Sequence, residues 1–202
     1  MGIPPRDPQT QPNLIDLSRF YNVALNEDLQ ESAGNNLAAL PRGVQMVAQV
    51  QFDLRGVIHL SSTELVKMRR KRYAPSVTGL PVNRKATRLL VLHGTAYTEP
   101  AGTPIGAYRL HYADGQQAEL PIVYGEDVRD WWCFRPEDTN ATTHATLAWT
   151  GENPSIKRRT GGFLRLYLRT YENPRPDVEI KTIDFVSTMT KCAPFLIALT
   201  VE

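Results

Sequence analysis

Cysteine is nearly missing from this chain: Cys133 and Cys192 are the two in 202 residues. Thiols so few and so far apart form neither a zinc knuckle nor a disulfide framework, so an apolar core must hold the fold. They are expected as buried thiols, with pairing across the fold left open for an exported protein. An excess of one charge is missing too, since 23 Lys and Arg face 21 Asp and Glu. That balance removes any global attraction to nucleic acid or to an acidic membrane surface. No apolar run approaches the roughly 18 residues a membrane-spanning helix needs. The opening MGIPPRDPQTQPN has no apolar signal-peptide core, and its four prolines give residues 1–13 the look of a flexible leader or linker. A single domain is expected over 14–202.

Catalytic signatures are also lacking. There is no G-x-S-x-G elbow, no H-E-x-x-H, no phosphate-cradling glycine loop and no cysteine with a nearby histidine. The four histidines, His59, His93, His111 and His144, are scattered and read as strand or surface residues, not zinc ligands. A paired-carboxylate glycosidase survives these absences, because such pairs assemble in space. A lone sandwich of this length has little material for a deep cleft, however, and the chain is read as non-catalytic.

Short alternating segments are what the chain has in quantity. Residues 107–112 and 118–124 form two extended runs joined by Asp114-Gly115, a pair suited to a tight hairpin. Alternation through VQMVAQVQFDLRGVIHL predicts one strand, a turn at Arg55-Gly56 and a second strand, with Val44, Met46, Ala48, Val50 and Phe52 on a core face. TRLLVLHGTAYT, ATLAWTG, FLRLYLRTYENP, VEIKTIDFVST and APFLIALTVE supply further strands. In FLRLYLRTYENP, Leu164, Leu166, Leu168 and Thr170 share one side, with Phe163, Arg165, Tyr167 and Arg169 on the other. One side is expected packed and the other polar and aromatic. Helical character is confined to SSTELVKMRRKRYAP, which carries the basic run Lys67, Arg69, Arg70, Lys71 and Arg72. Eight to ten short strands between Gly, Pro, Asn and Asp turns predict an all-β, two-sheet antiparallel β-sandwich, with a closed barrel as the alternative.

Several phrases are recognisable together: NNLAALPRGVQMVAQVQFDLRGVIHL, GLPVNRKATRLLVLHG, IGAYRLHYADGQQAELPIVYGEDVRDWW and ENPRPDVEIKTIDFVSTMTKCAPFLIALTVE. Over 14–202 the chain resembles the galactose-binding-domain-like jelly-roll modules appended to multidomain bacterial proteins and carbohydrate-active enzymes. The resemblance implies a non-catalytic module that binds a polysaccharide or glycan through loops at one end of the sandwich. It also implies an extracellular or periplasmic setting, other domains of a parent protein as partners, and a structural calcium in some members.

The residues themselves nominate the segment after the hairpin. Sugars need flat apolar surfaces for their C–H faces and planar polar groups for their hydroxyls. Tyr124, Asp127, Arg129, Trp131, Trp132 and Arg135 offer both within twelve residues and form the candidate ligand site. Adjacent tryptophans on a strand point to opposite faces, so one is expected in the core and the other, Trp132, as the platform. The series Arg165, Tyr167, Arg169 and Tyr171 on a concave sheet face is a second candidate, and Asn83, Arg84 and Lys85 in a loop are a third. No cofactor is expected. Glu126, Asp127 and Asp130 could supply oxygens to calcium, although ion pairs with Arg129 and Arg135 explain those carboxylates more simply. The rival reading is an assembly module whose aromatic loops bury against a partner protein.

Overall fold

The computed structural model describes residues 2–69, 73–134, 142–158 and 162–202. Among them the chain is an antiparallel β-sandwich with thirteen strands, two of them only two residues long. The larger sheet takes the order β1 (Val23–Ala24), β4 (Gly56–His59), β13 (Ala193–Val201), β6 (Arg88–Ala96), β11 (Phe163–Glu172) and β10 (Ala145–Gly151). A short β9 (Trp132–Cys133) also pairs with β11. The second sheet is β5 (Ser76–Arg84), β12 (Ile180–Ser187), β7 (Pro104–Tyr112) and β8 (Gln117–Val123). These are separate sheets with distinct end strands, which sets the closed barrel aside.

The central strands of the larger sheet are buried on both faces. Along β6, Leu89 and Val91 enter a core shared with Tyr108, Leu110, Ile183 and Phe185 of the second sheet. Leu90 and Leu92 enter a different core, on the far side. That second core is closed by Phe52 and Leu54, by Leu29, Leu37 and Leu40, by Leu65 of α1 (Thr63–Lys67) and by Ile156 of α2 (Pro154–Lys157). Unbroken apolar runs such as LLVL and APFLIAL are what a strand covered on both sides requires. FLRLYLRTYENP follows the same rule. Its leucines lie in the far core while Tyr167 and Tyr171 lie between the sheets, 2% and 5% exposed. The expected open aromatic face, with Arg165, Tyr167 and Tyr171 lining a concavity, is therefore corrected: this face is interior.

A second correction concerns 43–59. The turn falls at Ala48-Gln49, between β2 (Gly43–Val47) and β3 (Val50–Leu54), and both residues take positive φ, 47° and 66°. Val44 and Met46 face outward, Met46 being 70% exposed. Arg55-Gly56 is no turn. Gly56 lies in β4 because a Cβ there would stand 2.6 Å from the Tyr21 ring. Arg55 is buried, with its Nε donating to Asp53 Oδ2 at 2.9 Å and its Nη2 to Asp16 at 2.8 Å.

Arg6 joins this network at 3.0 Å from Asp53 and also donates to the Leu14 carbonyl. Ile3 packs on the inter-sheet core. Arg6 and Ile3, both within 1–13, thus make contacts with the sandwich. The hairpin of β7 and β8 turns where expected, with Gly115 at φ 82° and its N–H donating to Tyr112 O at 3.0 Å. Replacing Ala48→Asn together with Gln49→Gly supplies residues that tolerate two positive φ angles. The pair should stabilise the fold by about 1 kcal/mol, read as a thermal midpoint ~2–4 °C higher; an unchanged or lower midpoint would refute that turn.

Candidate functional site

Beyond β8 the chain doubles back sharply. Gly125, at φ 85°, donates its N–H to Val128 O at 2.8 Å. Asp127 clips the turn: its carboxylate accepts from Val123 N at 2.8 Å and from Arg169 Nε at 2.7 Å, and its own N–H donates to Val123 O. At 2% exposure Asp127 is sealed within the protein. Its carbonyl accepts from His93 Nε2 at 3.2 Å, so His93 Nδ1 is free to accept the Tyr108 hydroxyl at 3.1 Å. Burial lowers the His93 pKa to about 4 and keeps the ring neutral.

The next residues enter between β6 and β11 where those strands diverge. Trp131 N–H donates to Thr95 O, and Arg165 N–H donates to Trp131 O, each at 2.8 Å. Cys133 and Trp132 then pair with Phe163 and Leu164. A bend at Trp131 breaks the alternation of the run. Both tryptophans consequently meet the same far core, rather than opposite faces. Their exposures still differ. Trp131 is 2% exposed, edge-on to Phe195 at 5.7 Å, whereas Trp132 is half-buried.

Trp132 is held from both sides. Its ring meets Phe134 edge-on at 5.7 Å, and its indole N–H donates to Asn35 Oδ1 at 3.0 Å. Asn35 in turn donates to Gln30 Oε1 at 2.8 Å, and the Gln30 amide reaches His59 Nε2 at 2.7 Å. His59 Nδ1 lies 2.9 Å from the Leu60 carbonyl, which fixes it as the protonated nitrogen. Gln30 takes φ 52°, a left-handed conformation costly for a non-glycine residue. The amide contacts on either side of it hold that backbone in place.

Two cavities meet at this ring. One, about 290 Å³, is lined by Gln30, Ser32, Asn35, Met68, Ala96, Tyr97, Asp130, Trp131, Trp132 and Phe134. The other, about 340 Å³, is lined by Thr98, Tyr124, Arg129, Asp130, Trp132, Cys133, Phe134 and Arg165. Both are of the size that accepts a small ligand group. Asp130 stands between them, and burial pushes its pKa up to about 6, while hydrogen bonds from the Trp132 N–H and others and the Arg165 charge pull it down.

Of the residues nominated from sequence, Tyr124, Arg129 and Trp132 line one cavity together, and Trp131 and Trp132 line the other. Asp127 belongs to neither wall, and Arg135 lies outside the described residues. Arg70, Lys71 and Arg72 of the basic run do so as well. Arg165 joins the site from the second candidate series, while Asn83, Arg84 and Lys85 line neither cavity. Asn35, Gln30, Met68 and Tyr97 come from segments with no local signature of a site. The three carboxylates considered for calcium do not gather at one point: Glu126 and Asp127 both lie beside His144 Nδ1, at 3.5 and 3.6 Å, and Asp127 also pairs with Arg169, whereas the Asp130 carbonyl accepts from Arg165 Nε. Among the described residues no cluster of three metal-ligating side chains occurs. Cys133 and Cys192 are separate buried thiols, and burial pushes Cys192 up to about 12.

No protein-family model matches the chain, and no curated protein is significantly similar to it.

Trp131→Ala should cost ~3–5 kcal/mol of stability as a large core deletion. Trp132→Ala should cost ~1–2 kcal/mol for partial burial and one hydrogen bond. Urea unfolding of the two variants checks the order, and a larger loss at Trp132 would reverse the assignment of core and platform. Titration gives a separate expectation. The unfolded chain protonates His93 below about 6.5 while the folded chain resists to about 4, so this residue weakens the fold as pH falls through that window. Asp130 acts oppositely, its contribution being complete below 3.8 and lost as pH rises through about 6. Asp130→Asn removes the offset, so stability between pH 6 and 4 should fall more steeply with acid in the variant than in the parent. Parallel curves in urea titrations at those pH values would contradict it.

Proposed function

We propose that the protein is a non-catalytic glycan-binding module of a larger bacterial protein, reading its ligand at the Trp132 ridge. The observation that carries this reading is the half-buried indole forming a shared wall of two adjoining cavities, with its N–H already bonded to Asn35. A sugar ring stacks on such a face through its C–H groups. Because the ring is fixed before the ligand arrives, little side-chain freedom is lost on binding. Asn35, Gln30, Asp130 and Arg129 provide planar polar groups around it. The resemblance to galactose-binding-domain-like jelly rolls agrees with this use of a sandwich, although fold by itself does not transmit function.

A second reading rests on a different observation. β2 is the outer strand of its hairpin and presents Val44 and Met46 to solvent, which suits pairing with another protein through a strand edge.

Titrating the protein with soluble xylan, mannan, galactan, β-glucan and uronate oligosaccharides should change the tryptophan fluorescence for at least one of them. Trp132→Ala should weaken that ligand at least tenfold while the protein still melts cooperatively. No response across the set, together with concentration-dependent oligomers abolished by Met46→Lys, would replace the glycan reading with the assembly reading.

A further inference from the structure

We infer that the cavity lined by Tyr97, Phe134 and the two tryptophans receives the acetamido group of a 2-acetamido sugar whose ring lies on Trp132. The inference rests on the glycan reading above and names the class of its substrate. Trp132 is a wall of both cavities, so a pyranose on the indole turns one substituent into this one. Its volume of about 290 Å³ far exceeds the ~30 Å³ share of a water-sized hydroxyl. The rings around it are set at angles that enclose a group instead of offering one flat face. Trp131 and Trp132 are inclined at 48° with centroids 6.4 Å apart, and Phe134 stands edge-on to Trp132 at 5.7 Å. Met68 and Ala96 add apolar surface, and the Tyr97 hydroxyl donates to Met68 Sδ at 3.6 Å, joining two residues of the wall. Burying a methyl against such surface is favourable in proportion to the apolar area removed from water. A hydroxyl in the same place would lose its water and gain no apolar contact.

The polar groups of the wall suit an amide. Asp130 contributes a carboxylate, one oxygen of which accepts the Trp132 N–H at 3.2 Å. A carboxylate takes several hydrogen bonds, so an acetamido N–H adds to that one without displacing it. The Ser32 hydroxyl of the same wall is a donor for the acetamido carbonyl. A carboxylate alone would favour an ammonium, but Arg165 lies beside Asp130 and donates its Nε to the Asp130 carbonyl at 2.8 Å. With that charge already balanced, the desolvation of an ammonium goes uncompensated, whereas a neutral amide is desolvated at far lower cost. The backbone is an independent observation. Gln30 and Tyr97, which reach this wall from two distant segments, take φ of 52° and 67°. Positive φ is uncommon for a residue with a Cβ and an outlier for a bulky one. Strain of this kind gathers at ligand sites, where the fold holds side chains in positions a relaxed chain would not give. Two such residues meeting on one cavity point to an occupant.

The test uses matched ligands. Oligosaccharides of N-acetylglucosamine and N-acetylgalactosamine are titrated beside their hydroxyl counterparts, of glucose and galactose, and beside the de-N-acetylated amines. At least one acetamido sugar should bind about tenfold or more tightly than both of its counterparts. Asp130→Asn keeps an acceptor but loses the charge, so it should lower that preference about threefold while the hydroxyl sugar binds as before. Saturation-transfer NMR on the unaltered protein needs no variant: the acetamido methyl should receive the strongest saturation of any ligand proton. Equal affinities for acetamido and hydroxyl sugars would overturn the inference and leave the glycan reading standing, as would saturation centred on the ring protons with a weak methyl signal. Tighter binding of the amine would overturn it in favour of a cationic sugar. An unchanged preference in Asp130→Asn would overturn the part given to that carboxylate. Failure of every saccharide would bring down the glycan reading and this inference with it.

Discussion

One residue's backbone decides where the site forms. β6 and β11 pair over 167–172 and then part, and the peptide groups of Trp131 fill the gap by bonding to Thr95 on one side and Arg165 on the other. Without that insertion two strands of the central sheet would leave donors and acceptors unpaired in the interior, which a folded protein rarely tolerates. The turn at 124–128 exists to deliver the insertion. Asp127 closes it with Val123 and Arg169, and His93 reaches its carbonyl from within the sandwich. Trp131 is then driven onto Phe195, whose ring lies across Gly94 where any Cβ would collide with it. Trp132 is left at the border of the sheet, where exposure and support coincide.

The covering of the far face is the second constraint. An antiparallel sandwich commonly leaves its outer faces wet, but here a hairpin, a long loop and two single-turn helices lie over the larger sheet. That loop brings Gln30 and Asn35 to the ridge, and the end of α1 brings Met68. The layer that seals the core thereby builds half of a cavity wall. Structural and ligand-facing roles are shared by the same residues, as Asn35 illustrates by holding Asn153 as well as the indole.

Much of the fold was legible because apolar alternation is a direct record of burial. β6, β7, β8, β11 and β13 fall where the pattern puts them. The misreadings have physical reasons. Arg55-Gly56 looks like a turn, yet Gly56 is small because Tyr21 lies against it, and Arg55 is interior because Asp53 and Asp16 take its charge. Ala48-Gln49 has no glycine or asparagine to announce its left-handed turn. The half-site of Tyr124, Arg129 and Trp132 could be proposed from one segment, since its members are close in sequence. Its other half could not, because Asn35, Gln30, Met68 and Tyr97 are joined to it only by packing.

The amide line from Trp132 has a direction. The Leu60 carbonyl can only accept, so His59 presents its protonated nitrogen there and its lone pair to Gln30, and each amide along the way is oriented in turn up to the indole N–H. A side chain at the molecular surface is thus moored, bond by bond, to the main chain just past β4 inside the larger sheet. Pressure on the indole from outside would be borne by the sheet instead of being absorbed by a yielding loop.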